Sequence, residues 1–329
     1  MGRPEELRFS AGAATLAGTL ALPEAAAGGT RHPFVLLIGS WLPRTRDGDY
    51  DRSGHPGWFM PASPGAPPSL LARLADALAA RGVASFRWDK RGCAASRDEA
   101  AGVTWAGSDL FTLIDDARDA LAALRGRPDL DLRRTGIVAH GEGAVIALSV
   151  AIGDPAIGPL TLIGAPARSF RDVLRRGAAA RSLSGEGRGH PYVAALDRAA
   201  EELVEATDRG EQRLGLSLPG VGDPPINVKL NLAAFGQAFN TPALALATMF
   251  SRSVTLVHGE RDAWSHPDES VLLGEALSAA GSNVRSVSLP GAGHELAEAD
   301  DALIGELADD LVRRLEPREL PPVLLAIEG

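Results

Sequence analysis

The sequence predicts a mixed α/β fold with a mostly parallel sheet, and three observations lead to this prediction. Short apolar runs alternate with amphipathic segments of helical period along most of the chain. The run at residues 34–39 (FVLLIG) shows no polar–apolar alternation, which is typical of a strand buried on both faces. Polar or glycine-rich loops follow several of these runs and lead into helical patterns, the order expected of βα units.

The elements of the first half follow from these local patterns. Residues 69–80 (SLLARLADALAA) are apolar at helical spacing and end before Gly82, so they predict a helix. Residues 44–68 are rich in Gly, Pro and Asp and predict a long loop. The predicted strands are 7–10 and 15–22, which form an opening hairpin, and 34–39, 83–88, 135–140 and 160–164. The other predicted helices are 109–124 and 142–152.

The alternation of strands and helices stops after residue 167 and resumes near residue 249. In between, helical patches at 193–205 and 230–239 are separated by stretches such as LPGVGDPP, which we interpret as an inserted, mainly helical cap. Strands at 254–258 and 284–289 and helices at 269–280 and 302–315 follow. We therefore predict a core over 1–167 and 249–316, a cap over 168–248, and a C-terminal tail over 317–329.

Composition and charge exclude several classes of protein. The 329 residues carry a net charge of −9, so the basic surface of a nucleic-acid-binding protein is missing. Cys93 is the only cysteine, which rules out an internal disulfide. No apolar run approaches the about 20 residues of a membrane span, and the polar N-terminus lacks the apolar segment of a signal peptide. We expect a cytoplasmic protein with neither a nucleic-acid nor a membrane partner.

A glycine-rich turn follows the predicted strand 135–140. The segment AHGEG, residues 139–143, has the spacing small-x-Ser-x-Gly of a nucleophile elbow, in which a strand turns sharply into a helix. The central residue of such an elbow has a positive φ, which glycine adopts without steric cost. Gly141 therefore suits the backbone of this turn but supplies no nucleophile. Taken alone, the segment is also consistent with an ordinary glycine-rich strand–helix turn.

Two further loops carry a carboxylate and an imidazole. Asp262 lies four residues beyond a predicted strand, and His294 lies in the segment GAGH after the last predicted strand. Each residue alone could be a solvated loop residue or a helix cap. The carboxyl ends of parallel strands meet at one edge of the sheet, so the three loops are expected to lie together. The order elbow, acid, histidine is the order in which α/β hydrolases carry their catalytic triad.

Longer segments resemble a bacterial subgroup of serine esterases and acyl hydrolases of the α/β-hydrolase superfamily. They are GSWLPRTRDGDYD (39–51), LARLADALAARGVASFRWDKRGCAAS (71–96) and the elbow. The subgroup has a GS…RDG loop, a DKRG turn and an elbow written GHSEG. The resemblance covers about residues 5–165 and 250–315 and implies the α/β-hydrolase fold, a mostly parallel eight-stranded sheet with helices on both faces. This chain departs from the subgroup at Gly141, at an apparent one-residue insertion near Trp41, and at Cys93.

The resemblance also implies roles for individual residues. Asp262 would orient His294, which would act as the general base. The backbone N–H groups of Glu142 and of Ser40 or Trp41 would form an oxyanion hole. The DKRG charges would brace the loop beside the elbow. Neither oxyanion donor depends on a serine side chain, so only the covalent acyl-enzyme route is lost.

Three functions are consistent with these residues. The first is a cofactor-free enzyme that uses His294 and Asp262 for elimination, cyclisation, carbon–carbon coupling or direct water attack on a small carbonyl compound; reassignments of this kind are known for related folds in natural-product biosynthesis. The second is a non-catalytic protein that binds a small molecule in the capped pocket. The third is an ordinary serine hydrolase whose serine was replaced by Gly141. The apolar cap segments NLAAFGQAF and ALALATMF favour an apolar or aromatic ligand.

Other residues have two readings each. Cys93 could serve as a substitute nucleophile if its pKa were lowered, but a lone cysteine is more often a buried apolar residue. Glu142 is explained as a surface residue interacting with the helix dipole, with a role in proton transfer as the alternative. His140 is expected to pack, while His190 and Tyr192 could contact a ligand or lie on the surface. The histidine spacing favours no metal site, and no cofactor motif is present.

Overall fold

An eight-stranded sheet forms the centre of the computed structural model, which describes residues 3–24, 31–40, 43–51, 69–98, 103–176, 191–218, 226–262 and 264–317. The sheet strands are β1 (Arg3–Ala11), β2 (Ala14–Leu22), β3 (His32–Ile38), β4 (Ala84–Trp88), β5 (Leu130–His140), β6 (Ile157–Ile163), β9 (Val254–Gly259) and β10 (Val284–Leu289). The strand order is β1-β2-β4-β3-β5-β6-β9-β10. Strands β1 and β2 form an antiparallel hairpin, β2 pairs antiparallel to β4, and all other neighbours in this sheet are parallel.

Helices cover both faces of this sheet. The α-helices with both ends in the described residues are α1 (Leu70–Ala79), α2 (Leu110–Ala123), α3 (Gly143–Gly153), α4 (Pro191–Asp208), α5 (Leu232–Asn240), α6 (Ala243–Ala247), α7 (Asp268–Ala279) and α8 (Asp301–Arg314). Residues 170–176 are also helical. Buried residues of α2, α3 and α7 pack on one face, and those of α1 and α8 pack on the other. Strand β3 shows why its sequence lacks alternation, because Phe34 and Leu36 face the first cluster while Val35 and Leu37 face the second.

The predicted fold class, a mostly parallel eight-stranded α/β sheet with helices on both faces, is confirmed. The strands and helices predicted for the core are present, with ends that differ by a few residues. The described part of the segment between the two parts of the core contains more helix than strand, as predicted, together with a hairpin that was not predicted. It includes helices α4 and α5, but also an antiparallel hairpin of β7 (Arg213–Leu218) and β8 (Ile226–Asn231). Residues 219–225, which include most of LPGVGDPP, and the tail beyond residue 317 lie outside the described residues.

Within the described residues, every helix is too short or too polar to cross a bilayer.

Candidate active site

The turn between β5 and α3 has the geometry of a nucleophile elbow. His140 ends β5, Gly141 has a φ of 57°, and α3 begins at Gly143. The N–H of Gly141 donates to the carbonyl of Ile163 (2.8 Å), which fixes the turn against β6. A Cβ atom on Gly143 would lie 2.6 Å from the carbonyl oxygen of Gly39. Glycine at position 143 therefore allows α3 to approach the end of β3.

A side chain on Gly141 would point into the site. A Cβ atom built there lies 3.3 Å from Nε2 of His294 and 3.4 Å from Cβ of Ser40. The imidazole is thus placed where it could accept a proton from a serine hydroxyl at position 141. In the described part of the chain, Nε2 of His294 has no hydrogen-bond partner.

His294 and Asp262 form a buried pair. Nδ1 of His294 donates to Oδ2 of Asp262 at 2.8 Å, and both residues are buried. Burial alone would lower the pKa of His294, but the charge and the hydrogen bond of Asp262 outweigh burial and raise it above its usual value. Because Nδ1 carries the proton that faces the carboxylate, Nε2 is left as the basic nitrogen.

The carboxylate of Asp262 accepts three hydrogen bonds and lies beside a second histidine. Oδ1 accepts from the N–H groups of Trp264 (2.9 Å) and Ser265 (2.8 Å), and Oδ2 accepts from His294. Nε2 of His258 lies 3.4 Å from Oδ2 and 2.5 Å from the carbonyl of Ser265. Burial would raise the pKa of Asp262, but the charge of His294 and these hydrogen bonds hold it well below its usual range. The acid therefore stays ionised and fixed in orientation.

The side chain of Glu142 is buried, so the expectation that it lies on the surface is wrong. The residue is 4% exposed. Its Oε2 accepts from the hydroxyl of Ser40 (2.5 Å), and its Oε1 accepts from Nε1 of Trp264 (2.9 Å). The N-terminus of α3 therefore lies against the loops after β3 and β9.

One of the two expected oxyanion donors is described in full. The N–H of Glu142 directly follows Gly141 and has no acceptor among the described residues. Ser40 is buried on the loop after β3, beside the position that a side chain at 141 would take. Trp41 lies outside the described residues.

His140 contacts His294 through a hydrogen bond and through its ring. Its Nε2 donates to the carbonyl of His294 (3.0 Å), and the two ring centres are 4.7 Å apart. Burial lowers the pKa of His140 to about 4, so the ring is neutral at pH 7. His140 therefore packs beneath the base, and it is 2% exposed.

An ion pair that the sequence analysis did not find lies next to this histidine. The guanidinium of Arg44 donates to both carboxylate oxygens of Glu295 (2.9 and 2.6 Å) and stacks over the ring of Tyr50, 4.1 Å from its centre. Burial would raise the pKa of Glu295, but the charge of Arg44 lowers it to about 2. The only sequence signal for this pair was the position of Glu295 directly after His294.

His140, His294 and Glu295 also bring three potential metal-ligand atoms within 4.8 Å of one another. Their present bonds do not fit a metal site. Glu295 is engaged by Arg44 on both oxygens, and Nε2 of His140 is engaged by a carbonyl. A cation at this point would also meet the positive charge of Arg44.

The RDG and DKRG segments bind each other next to the elbow loop. The guanidinium and the N–H of Arg46 donate to Asp89 (2.7 and 2.8 Å), and Arg91 pairs with Asp116. Lys90 is buried as well, and burial lowers its pKa to about 8. Cys93 is fully buried in the core and burial raises the pKa of its thiol, which is the opposite of what a substitute nucleophile requires.

His190 and the side chain of Tyr192 lie outside the described residues.

A small cavity opens beside the elbow, against the first turn of α3. Its volume is about 10 Å³, enough for one water-sized group. Apolar walls come from Leu110, Val145, Ile146 and Phe170, and the charged groups on it are Glu142 and Arg168. The ring of Phe170 packs on Trp264 (5.3 Å between ring centres) and on Phe239 (5.7 Å), which gives this side of the site an aromatic wall.

Comparison with known proteins gives the fold and no closer relative. No family model matches the chain, and no curated protein matches it in sequence. Among solved structures, Est1E from Butyrivibrio proteoclasticus is 14% identical over 96% of this chain and 99% of its own, with a TM-score of 0.59, and has also been solved with ferulic acid bound. DcsB, solved with a substrate analogue, is 12% identical over 95% of this chain and 99% of its own, with a TM-score of 0.63.

A third structure carries the name of the fold. GrgF from Penicillium sp. sh18, an alpha/beta hydrolase, is 15% identical over 95% of this chain and 99% of its own, with a TM-score of 0.61. This protein therefore has the α/β-hydrolase fold, as the sequence predicted. At such identities the likeness concerns the fold, and the chemistry has to be argued from the site.

Proposed function

We propose that this protein is a cofactor-free enzyme that lacks a serine nucleophile and uses His294 and Asp262 for acid–base chemistry on a small carbonyl compound. The observation that supports it is the placement of Nε2 of His294, 3.3 Å from the Cβ position of residue 141. The base is oriented for proton transfer although Gly141 offers no hydroxyl. A purely binding role would have no need of an imidazole held by an ionised carboxylate.

The proposed chemistry begins with a proton moving to Nε2 of His294 from a substrate carbon or from a water in the space beside Gly141. When the proton leaves a substrate carbon, the electron pair that remains moves onto the substrate carbonyl oxygen. When it leaves water, attack of the water oxygen on the carbonyl carbon places the negative charge on the same carbonyl oxygen. The N–H of Glu142 stabilises that oxygen, together with a donor from the loop after β3. Asp262 stabilises the imidazolium until the proton is returned to the product.

These groups are sufficient for catalysis without a covalent intermediate. General base catalysis contributes about 10²–10⁴ in rate, and one oxyanion donor about 10²–10³. The reaction types that require no more than this are elimination, cyclisation, carbon–carbon coupling and direct attack of water. An activity of this kind suits a tailoring step in biosynthesis.

Residues 168–248 act as the cap in this proposal and supply the part of the pocket that selects the substrate. The rings of Phe170, Phe239 and Trp264 support an apolar or aromatic ligand. Est1E, which shares the fold, has been solved with the aromatic acid ferulic acid.

Ester hydrolysis by the native protein and by Gly141→Ser, on a panel of short and medium acyl esters, tests the proposal. If only Gly141→Ser hydrolyses the esters, the site geometry is intact and the native protein performs another reaction. Hydrolysis by the native protein that disappears in His294→Ala would narrow the proposal to direct water attack. His266→Ala is the matched control, because His266 is an exposed histidine outside the site.

Two results would contradict the proposal. One is native activity that survives in His294→Ala at the wild-type rate. The other is tight binding of a ligand that is recovered chemically unchanged, which would favour a small-molecule receptor.

A further inference from the structure

The carboxylate of Glu142 is buried without a cationic partner. Its two hydrogen-bond donors, the hydroxyl of Ser40 and the indole N–H of Trp264, are both neutral. No ion pair to Glu142 exists among the described residues. Buried charges in proteins are usually paired, because removing an unpaired charge from water is costly.

Arg44 and His294 interact with this carboxylate through their charge, but the hydrogen bonds that they donate go to other carboxylates. Arg44 donates to both oxygens of Glu295, and His294 donates to Asp262. Arg168 also reaches the cavity beside Glu142, but its guanidinium pairs with Glu269. Among the described residues, no cationic side chain donates a hydrogen bond to the carboxylate of Glu142, which leaves this position to a group from outside the chain.

The geometry leaves room for such a group. An ionised carboxylate can accept about four hydrogen bonds, and the described residues donate two. The adjoining cavity of about 10 Å³ is walled by Leu110, Val145, Ile146 and Phe170. A group the size of one water molecule fits this space, as a primary ammonium does, whereas a ring does not.

We propose that Glu142 is the binding site for a primary ammonium group of the substrate. This inference rests on the proposed function, which places the substrate carbonyl at the backbone N–H of the same residue. Because one residue contacts both groups, amine and carbonyl are separated by only a few bonds. The substrate class is therefore a carbonyl compound with a nearby amino group, such as an aminoacyl compound, whose apolar part lies towards the aromatic wall.

Binding of matched small amides to the full-length protein tests this site. The probes are L-alaninamide, propionamide, which lacks the amine, and N-acetyl-L-alaninamide, in which the amine is uncharged. Dissociation constants are measured by NMR titration at pH 6.5, where the amine is protonated. We expect L-alaninamide to bind the wild-type protein at least about tenfold more tightly than either neutral probe, with a preference that weakens as salt is added.

Two variants test whether Glu142 is responsible for the preference for L-alaninamide. Glu142→Gln should abolish it, and Glu306→Gln, which changes an exposed carboxylate on α8, should leave it unchanged. Equal binding of the three probes by the wild-type protein would refute the ammonium site even if Glu142→Gln fails to fold. A preference that persists in a folded Glu142→Gln would refute it as well.

Failure of this site and failure of the proposed function can be told apart. His294→Ala should keep the preference for L-alaninamide, because His294 does not hold the amine. Wild-type turnover in His294→Ala together with an intact preference would refute only the acid–base function. His294-dependent turnover with no preference in the wild-type protein would refute only the ammonium site.

Discussion

Nε2 of His294 lies 3.3 Å from the position that the Cβ atom of a side chain on Gly141 would occupy. Nothing on Gly141 can hold the imidazole there. Its position depends on the hydrogen bond to Asp262 on one side and on the contact with His140 beneath it. The base is thus preorganised by the rest of the site and not by the residue it would activate in a serine hydrolase.

Replacement of Gly141 by alanine separates backbone strain from crowding in the site. Gly12, in the turn between β1 and β2, has the same φ of 57°, but a Cβ atom there meets no atom within 4 Å. In both Gly12→Ala and Gly141→Ala, the left-handed conformation should lower the free energy of unfolding by about 1–2 kcal/mol. The free energy of unfolding should fall further in Gly141→Ala, because the methyl group contacts His294 and Ser40. Urea unfolding of both variants measures the difference, and equal losses would show that the space beside Gly141 is open.

Gly164, directly after β6, packs against the histidine–carboxylate pair. A Cβ atom there would lie 3.0 Å from Nδ1 of His294 and 3.3 Å from Oδ2 of Asp262. Gly164→Ala should push the two groups apart and lower the pKa of His294 towards its usual value, with at least about a tenfold loss of activity. Gly12→Ala, with the same φ, is the control. NMR titration of His294 provides the measurement, and an unchanged pKa would contradict this packing.

The activity should rise with pH through the pKa of His294. The base works only when neutral, and Asp262 raises the pKa of His294, so the neutral form dominates above that raised pKa. The variant Asp262→Asn lacks the negative charge that raises the pKa of His294. The rise should then shift to lower pH while the maximal rate falls by at least about tenfold. A pH–rate profile tests this, with Asp115→Asn, an exposed site on α2, as the control; a profile that does not move would exclude His294 as the base.

Stability should decrease as the pH is lowered from about 6.5 to 4, in part because of His140. Burial lowers its pKa to about 4 from the usual 6.5, so in this window the unfolded chain binds a proton that the folded chain does not. The contribution of one such group is at most about 1.4 kcal/mol per pH unit. His140→Gln should flatten the dependence, and His266→Gln should not. Urea unfolding at several pH values measures both, and identical slopes in wild type and His140→Gln would contradict the prediction.

The core elements could be predicted because they follow local patterns. Residues 69–80 predicted a helix, and the structure has α1 over Leu70–Ala79. The β7–β8 hairpin was missed, because its strands are short and the glycines and prolines between them read as a break. The predicted helix at 230–239 begins at Leu232, since Leu230 pairs with Leu214 across the hairpin.

In the site, sequence position and side-chain environment differ in how far they can be predicted. Gly141, Asp262 and His294 could be singled out because each follows a strand at the same edge of the sheet. The pairing of Arg44 with Glu295 depends on packing between residues 251 positions apart. The burial of Glu142 depends on the same kind of packing, and no hydrophobic periodicity in the sequence predicts it.

The carboxylate of Glu142 joins three separate loops. It lies on the elbow after β5, binds Ser40 on the loop after β3, and binds Trp264 on the loop after β9. Loops connected through one group cannot open independently without breaking a hydrogen bond to a buried charge. The rim of the site should therefore open as one cooperative unit, and a positive charge that reaches this carboxylate would slow amide exchange in all three loops at once.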